Sequence, residues 1–240
     1  MKPRNNKILI TGGASGIGLG LTERFVQENN TVIICGRRET SLKEVAERFP
    51  SVITRVCDLS VEADRIELYK WVAEKHSDLN VLVNNAGIQK WMDISDSGFY
   101  QKANEEMATN IVAPIHLTTL FLNLKSLNTV INVTSGLAFI PLSKVPVYCA
   151  TKAFMRSFTL SLRHSLKSRN IEVIEMIPPA LNTDLGAIGL HDGHPAVSEF
   201  VESVFLQMKE GKTELTFGTS EARAKANNEM TTEYFNRMNP

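Results

Sequence analysis

Neither sign of charge is in surplus: 26 basic residues balance 26 acidic ones, and no run of like charges stands out. Gripping nucleic acid or an anionic membrane electrostatically takes a basic face, so the composition makes no case for either partner. Long apolar runs are missing as well. The longest, Ile111 to Leu124, is interrupted by Pro114, His116, Thr118, Thr119 and Asn123, which leaves it too short and too polar to span a bilayer. Met1 to Ile10 has no apolar h-region and no small-residue cleavage site, so it does not read as a signal peptide. Cysteine is scarce. Cys35, Cys57 and Cys149 show neither CxxC nor metal-ligand spacing, a pattern that fits reduced thiols in a cytoplasm and points to no metal. Repeats, low-complexity stretches and linkers are absent too, and 240 residues suffice for a large core, so the expectation is one domain over 1–240.

What is present is alternation. Lys7–Thr11, Thr31–Cys35, Val52–Val56, Asn80–Val83, Thr129–Val133, Glu172–Ile177 and Glu214–Phe217 read as strands, several of them apolar almost throughout, as strands covered on both faces must be. Helical spacing lies between them: Leu19, Leu21, Phe25 and Val26; Leu42, Val45, Ala46 and Phe49; Ile66, Leu68, Trp71 and Val72. Two longer helices are expected near Phe99–Leu124 and Pro146–Ser168. This order predicts an α/β fold: a Rossmann-type, doubly wound parallel sheet of about seven strands with helices on both faces. Gly186–Pro195, with three Gly and two His, is the most loop-like stretch and is placed where a lid could sit.

The first strand runs into Gly12-Gly13-Ala14-Ser15-Gly16-Ile17-Gly18 and then a helix. Unpaired N–H groups and the positive end of a helix dipole suit a phosphate there, and glycines let the pyrophosphate approach. The spacing is GxxxGxG rather than GxGxxG. The second strand ends in Cys35-Gly36-Arg37-Arg38. An acid at such a strand end accepts from the adenosine ribose of NAD; here Gly36 leaves room and Arg37 and Arg38 follow, which suits a 2′-phosphate and favours NADP(H), with NAD(H) possible through Glu39. A solvated basic pair is the structural alternative.

Tyr148 and Lys152, four apart at the start of a predicted helix, share one face. An ammonium about 5 Å from a phenol, at an effective dielectric of ~20, favours the phenolate by roughly 3 kcal/mol, or about 2 pKa units. That moves a poor acid toward useful general acid/base catalysis. A surface pair on a helix is the bland reading. Ser135 follows the fifth strand, on the side of an open sheet where ligands bind, although an ordinary loop serine fits the same position. Cys149 is expected to face away from Tyr148, and His191-Asp192-Gly193-His194 reads as a flexible loop rather than a metal site. Trp91, Met92, Phe139, Ile140 and Leu142 read equally as pocket wall or as core.

Taken together these residues resemble the short-chain dehydrogenase/reductase family, over nearly the whole chain. Thr11-Gly12-x-x-x-Gly16-x-Gly18 is similar to its cofactor loop, with Ser15 and Ile17 inside it. Asp58, with Leu59 beside it, is similar to its adenine-contacting acid, and Asn84-Asn85-Ala86-Gly87 to its motif after the fourth strand. Asn110, Ser135, Tyr148 and Lys152 match its catalytic four in order and spacing. The resemblance implies hydride exchange between NADP(H) and a small carbonyl or alcohol, with the cofactor supplying the hydride chemistry. Tyr148 would move the proton and Ser135 orient the oxygen. Lys152 would hold the nicotinamide ribose and depress the Tyr148 pKa; Asn110 would locally disrupt its helix and hold a water in a relay. It also implies a homodimer or homotetramer packed through the two long helices. One stretch departs from the family pattern: Pro178-Pro179-Ala180-Leu181-Asn182-Thr183 stands where Pro-Gly-x-Val-x-Thr is usual, so Pro178, Leu181 and Thr183 remain cofactor candidates while Pro179 restricts the loop. Ile34–Glu39, Val83–Gln89 and Tyr234–Asn239 are similar to a bacterial subgroup named for an association with D-alanine esterification of teichoic acids, a name that assigns no reaction. Two other classes fit parts of the pattern: a dinucleotide-binding sensor that does not turn over, and a sugar-nucleotide epimerase or dehydratase. The intact Ser135 speaks against the first, and the roughly 60 residues after Thr183 leave little room for the substrate domain of the second.

Overall fold

Successive side chains of a strand face opposite ways, so a strand that is apolar at every position must be covered on both sides. The first strand obeys this: Ile8 and Ile10 enter one buried cluster and Leu9 the other. The computed structural model describes residues 1–239; Pro240, the last residue of the expected domain span, lies outside them. In chain order the elements are β1 (Lys7–Thr11), α1 (Gly16–Gln27), β2 (Thr31–Gly36), α2 (Glu39–Arg48), β3 (Ile53–Val56), α3 (Glu62–Lys75), β4 (Val81–Asn84), α4 (Phe99–Met107), α5 (Ala113–Phe121), β5 (Thr129–Val133), α6 (Pro146–Leu166), β6 (Glu172–Ile177), α7 (Val197–Lys209), β7 (Glu214–Thr216), α8 (Thr219–Ala224) and α9 (Asn228–Met238). The seven strands form one parallel sheet in the order β3-β2-β1-β4-β5-β6-β7. The order reverses between β1 and β4, which opens a crevice at their carboxyl ends.

Two layers of helices cover the sheet. On one face Leu21 and Phe25 of α1, Leu42 and Val45 of α2, and Phe200, Val204 and Phe205 of α7 pack on Ile8, Ile10, Val32 and Ile34. On the other, Leu68 and Val72 of α3, Leu117 and Phe121 of α5, and Leu162 and Leu166 of α6 pack on Leu9, Ile33, Leu82 and Val130. All seven expected strands are present, with ends displaced by one residue at most. The expected helix Phe99–Leu124 is instead three pieces: α4 and α5 are joined by a π-helical turn, Ala108–Val112, that turns Asn110 inward. Its apolar pattern runs on across the junction, so periodicity alone does not show the break. On α3, Arg65 shares the buried face expected to be apolar; its guanidinium donates to His116 Nδ1 at 3.0 Å and to the Leu59 carbonyl at 2.5 Å. Helices α7, α8 and α9 were not expected from the sequence. The last two return the chain from β7 toward the β5–α6 connection: Ser220 of α8 bonds the Ile177 carbonyl, and Asn239 bonds Ser143 N and Pro141 O.

Candidate active site

The carboxyl ends of the parallel strands border a cleft of about 1340 Å³, larger than a pocket for one drug-sized molecule, about 300–1,000 Å³. One end is built by the turn between β1 and α1. Gly12, Ser15, Gly16 and Ile17 line it, and Gly16 and Gly12 have positive φ. Gly18 does not line the cleft; a Cβ there would sit 2.1 Å from the Gly12 carbonyl oxygen and 2.5 Å from Asn85 Nδ2, so it lets the turn close. Thr11 is likewise internal. Its hydroxyl donates to the Val83 carbonyl at 3.2 Å and accepts from the N–H groups of Asn85 and Ala86 at 2.9 and 3.0 Å, tying the turn to the loop after β4.

Beyond the turn, Gly36, Arg37, Arg38, Asp58 and Leu59 line the far end. A Cβ on Gly36 would meet nothing within 4 Å, so space is open at the end of β2. Glu39, the rival ribose ligand, is turned to Lys43 at 2.9 Å. Burial pushes the Asp58 carboxyl up, but hydrogen bonds from the hydroxyl and N–H of Ser60 and the charge of Arg37 outweigh it and hold it below the usual range. These groups fit a dinucleotide: a glycine-opened helix N-terminus for the pyrophosphate and two arginines without an ion-pair partner among the described residues for a 2′-phosphate.

The other end gathers Ala86, Gly87, Tyr148, Lys152, Pro178 and Thr183 on the cleft wall. Asn110 and Ser135 are buried against it. Lys152 Nζ lies 5.6 Å from the Tyr148 ring centre and donates to the Val133 carbonyl at 2.9 Å. Ser135 Oγ caps the turn after β5, accepting from Leu137 N at 3.1 Å, and is near enough to the Tyr148 phenol to oppose its upward shift. Asn110 Oδ1 accepts from Ile88 N at 2.9 Å, while its Nδ2 donates to Ile88 O at 2.8 Å and Thr151 Oγ1 at 3.2 Å. The spot a Cβ of Gly87 would take is 3.4 Å from Asn110 Oδ1 and 3.5 Å from Lys152 Nζ, so both groups converge there.

Three expectations are corrected. Asn84 is not a cleft residue; its amide donates to Asn132 Oδ1 at 2.9 Å and Thr118 Oγ1 at 3.1 Å, and Asn85 lines the cleft in its place. Leu181 is core, packed in the cluster of α1 and α7. The Tyr148 phenol is not made more acidic by Lys152 in the cofactor-free protein: burial pushes it far up, Ser135 only partly opposes that, and the charges of Cys149 and Glu106 add to the rise. Burial also lowers the Lys152 ammonium to about 8. Desolvation sets both shifts because Tyr148 and Lys152, although they border the cleft, are almost wholly buried.

Leu137, Leu142 and Leu185 pack around Tyr148, Val145 and Cys149, so the wall next to the phenol is apolar. Cys149 does face away, its thiol exchanging contacts with the Leu142 backbone. Met92 and Ile140 are core, whereas Trp91 is exposed beneath Lys144. The segment after β6 folds back on itself: Asn182 N bonds Pro195 O at 2.9 Å and His191 Nδ1 meets Thr183 O at 3.2 Å. A Cβ at its Gly186, at φ 88, would lie 3.0 Å from Gln89 Oε1 and 3.7 Å from Trp91 Nε1. Gln89, Leu185 and Ile188, all on the cleft, had no chemical signature in the sequence and are found by position alone.

With this geometry the similarities to known proteins agree. The sequence pattern of the short chain dehydrogenase family matches residues 6–189. The chain is 43% identical over 231 residues to the uncharacterized oxidoreductase DltE of Bacillus subtilis (strain 168), covering 90% of this chain and 89% of that one. It is 29% identical over 175 residues to the NADP-dependent 3-hydroxy acid dehydrogenase YdfG of Shigella flexneri, 71% of each chain. The crystal structure of a short chain dehydrogenase from Burkholderia cenocepacia J2315 in complex with NADP superposes with a TM-score of 0.85 over 99% of both chains at 24% identity, a likeness of fold. A match across most of the chain and a relative at this identity place the protein: it belongs to the short chain dehydrogenase family.

Proposed function

We propose that the chain, as one domain over residues 1–240, is an NADP(H)-dependent oxidoreductase that interconverts a small carbonyl compound and its alcohol, with Tyr148 as general acid/base. The observation that carries this reading is one cleft with Arg37 and Arg38 at its far end and Tyr148, Ser135, Lys152 and Asn110 at the other. Bound there, NADP(H) supplies the hydride chemistry; the protein supplies position and protons. Gly12, Ser15, Gly16 and Ile17 hold the pyrophosphate, Arg37 and Arg38 the 2′-phosphate, Asp58 and Leu59 the adenine side, and Ala86, Gly87, Pro178 and Thr183 the nicotinamide side. NAD(H) lacks the group the arginines bind and is the weaker partner. Ser135 donates to the substrate oxygen. Tyr148 gives that oxygen a proton in reduction and takes it in oxidation. Lys152 holds the nicotinamide ribose, and Asn110 places its end of a relay toward Lys152. The leucines around Tyr148 favour a substrate with an apolar arm. The NADP dependence in the name of the Shigella relative and the NADP bound in the Burkholderia structure support the cofactor assignment by likeness. The three free cysteines fit a reducing cytoplasm.

Tyr148→Phe is the test. A panel of aldehydes and ketones is followed by NADPH absorbance, and NADPH and NADH binding by fluorescence titration. The variant is expected to lose turnover by about 10²–10⁴-fold, as for loss of a general acid, and to bind NADPH as the unmodified chain does. Retained turnover removes Tyr148 from the role; a chain that binds NADPH and never turns over is a sensor instead. Equal affinity for both cofactors removes the 2′-phosphate assignment.

A further inference from the structure

Glu106 is fully buried on α4, one turn before Asn110, and forms no ion pair among the described residues. Its Oε1 accepts from the backbone N–H of Lys90, while the Lys90 ammonium turns outward to Glu105. Its Oε2 has no hydrogen-bond partner among the described residues. A buried carboxyl with an empty oxygen is costly, and a leucine there would avoid that cost, so the group calls for an explanation beyond folding. The titratable groups facing it are Lys90 on the loop after β4 and Tyr148 and Cys149 on α6, and both α6 groups feel its charge. Asn110 and Glu106 therefore act as a pair from adjacent turns. The amide clamps Ile88, the carboxyl clamps Lys90, and the backbone between them presents Gln89 to the cleft.

We propose that Glu106 is a positioning residue for the reaction: its buried carboxyl pins the pocket wall Ile88–Lys90, which presents Gln89 to the cleft, and its charge, on a helix packed against α6, raises the pH at which alcohol oxidation sets in. The inference rests on the carbonyl–alcohol reading above. Burial pushes the Glu106 carboxyl up to about 7, against the opposing pull of the Lys90 N–H and ammonium, so this charge is switched within the physiological range. Ionised above that pH, it discourages the phenolate that alcohol oxidation requires. Neutral below it, it releases Tyr148 from that influence.

The experiment compares pH profiles of alcohol oxidation for the unmodified chain and Glu106→Gln, which keeps an acceptor for Lys90 and removes the charge. The rising limb is expected to move to lower pH, giving faster oxidation at a pH on the limb, with KM little changed because the Lys90 clamp survives. Glu106→Leu, which also removes the clamp, is expected to raise KM. A role confined to folding would leave the limb of Glu106→Gln where it was, and that result overturns the proposal. Carbon-13 NMR of glutamate-labelled, unmodified, cofactor-free protein supplies a second readout: one carboxyl, missing from the Gln variant, should titrate near neutrality. A Glu106 signal that stays in the ordinary carboxylate range overturns the proposal even if the variants fail to fold. No turnover of any carbonyl or alcohol sinks the underlying reading; turnover with an unmoved limb sinks only the assignment to Glu106.

Discussion

At Lys152 a charged group is folded almost out of contact with water, and the fold bears the cost of it. The ammonium falls from 10.5 to about 8 through burial. Below about pH 8 both folded and unfolded chains hold the proton, and the folded state carries the whole penalty. Between the two values the unfolded chain binds more protons, so stability rises with pH; above the upper value the penalty is gone. Lys152→Met is therefore expected to raise the Tm of the cofactor-free protein at pH 7 by about 5 °C, after allowing for the unpaired Val133 carbonyl, with the gain shrinking toward pH 10. Calorimetry at both pH values checks it; a variant that melts lower at both would show that the Val133 hydrogen bond outweighs desolvation. The same substitution should remove turnover, which makes this a residue kept for chemistry at the expense of stability. Tyr148 and Lys152 were legible in the sequence as a pair on one face, but the sign of the phenol shift was not. Spacing gives the proximity of the charge, whereas desolvation depends on Leu137, Leu142 and Val145 of the β5–α6 connection and Leu185 of the segment after β6, brought together only by the fold.

The turn between β1 and α1 works as a unit, and its glycines have different reasons. Gly18 has the Gly12 carbonyl in the place of its missing Cβ, while Gly36, at the end of β2, has open space. Gly18→Ala is expected to lose NADPH binding by at least about tenfold and to lower Tm, because the atom it meets is backbone and cannot swing aside. Gly36→Ala should leave both nearly unchanged. Isothermal titration of the two variants decides it, and a Gly18→Ala protein that binds NADPH normally would show that the turn has another way to close. The glycine spacing was legible because such a turn depends on neighbouring residues alone. The π-helical turn at Ala108–Val112 was not legible as a break, since α4 and α5 keep one apolar rhythm; the hydrogen bonds of Asn110 to Ile88 and Thr151, on another loop and another helix, anchor the residue turned inward there.

On the whole molecule, the outer surface of α4, the π-turn and α6 carries Tyr100 at 70% exposure and Phe154 at 45%, with Met107, Val112 and Leu160 also exposed. These helices neighbour one another, and large apolar side chains on adjoining helices mark a surface that another molecule covers. A second copy of the chain is the proposed occupant, in a homodimer or homotetramer. Phe154→Glu should reduce the mass seen by sedimentation velocity to that of a single chain, with the cofactor site intact. A monomeric unmodified chain at about micromolar concentration, where obligate contacts of standard size persist, would remove the proposal.

The sequence by itself determined the seven strands, the phosphate turn and the order of motifs, because each is written in residues close together along the chain and follows from side-chain alternation or from the space a missing Cβ leaves. The tertiary structure alone decided which groups lost their water. Glu106 carries no signal in the sequence beyond standing four residues before Asn110, yet the fold buries it completely and leaves one carboxyl oxygen without a partner among the described residues. Arg65 is buried despite its charge, bonded to His116 and the Leu59 carbonyl. Asn84 and Asn85 are adjacent letters of one motif, one in the core and the other on the cleft. Proximity along a chain is local information; the dielectric around a charge is set by every element that closes over it.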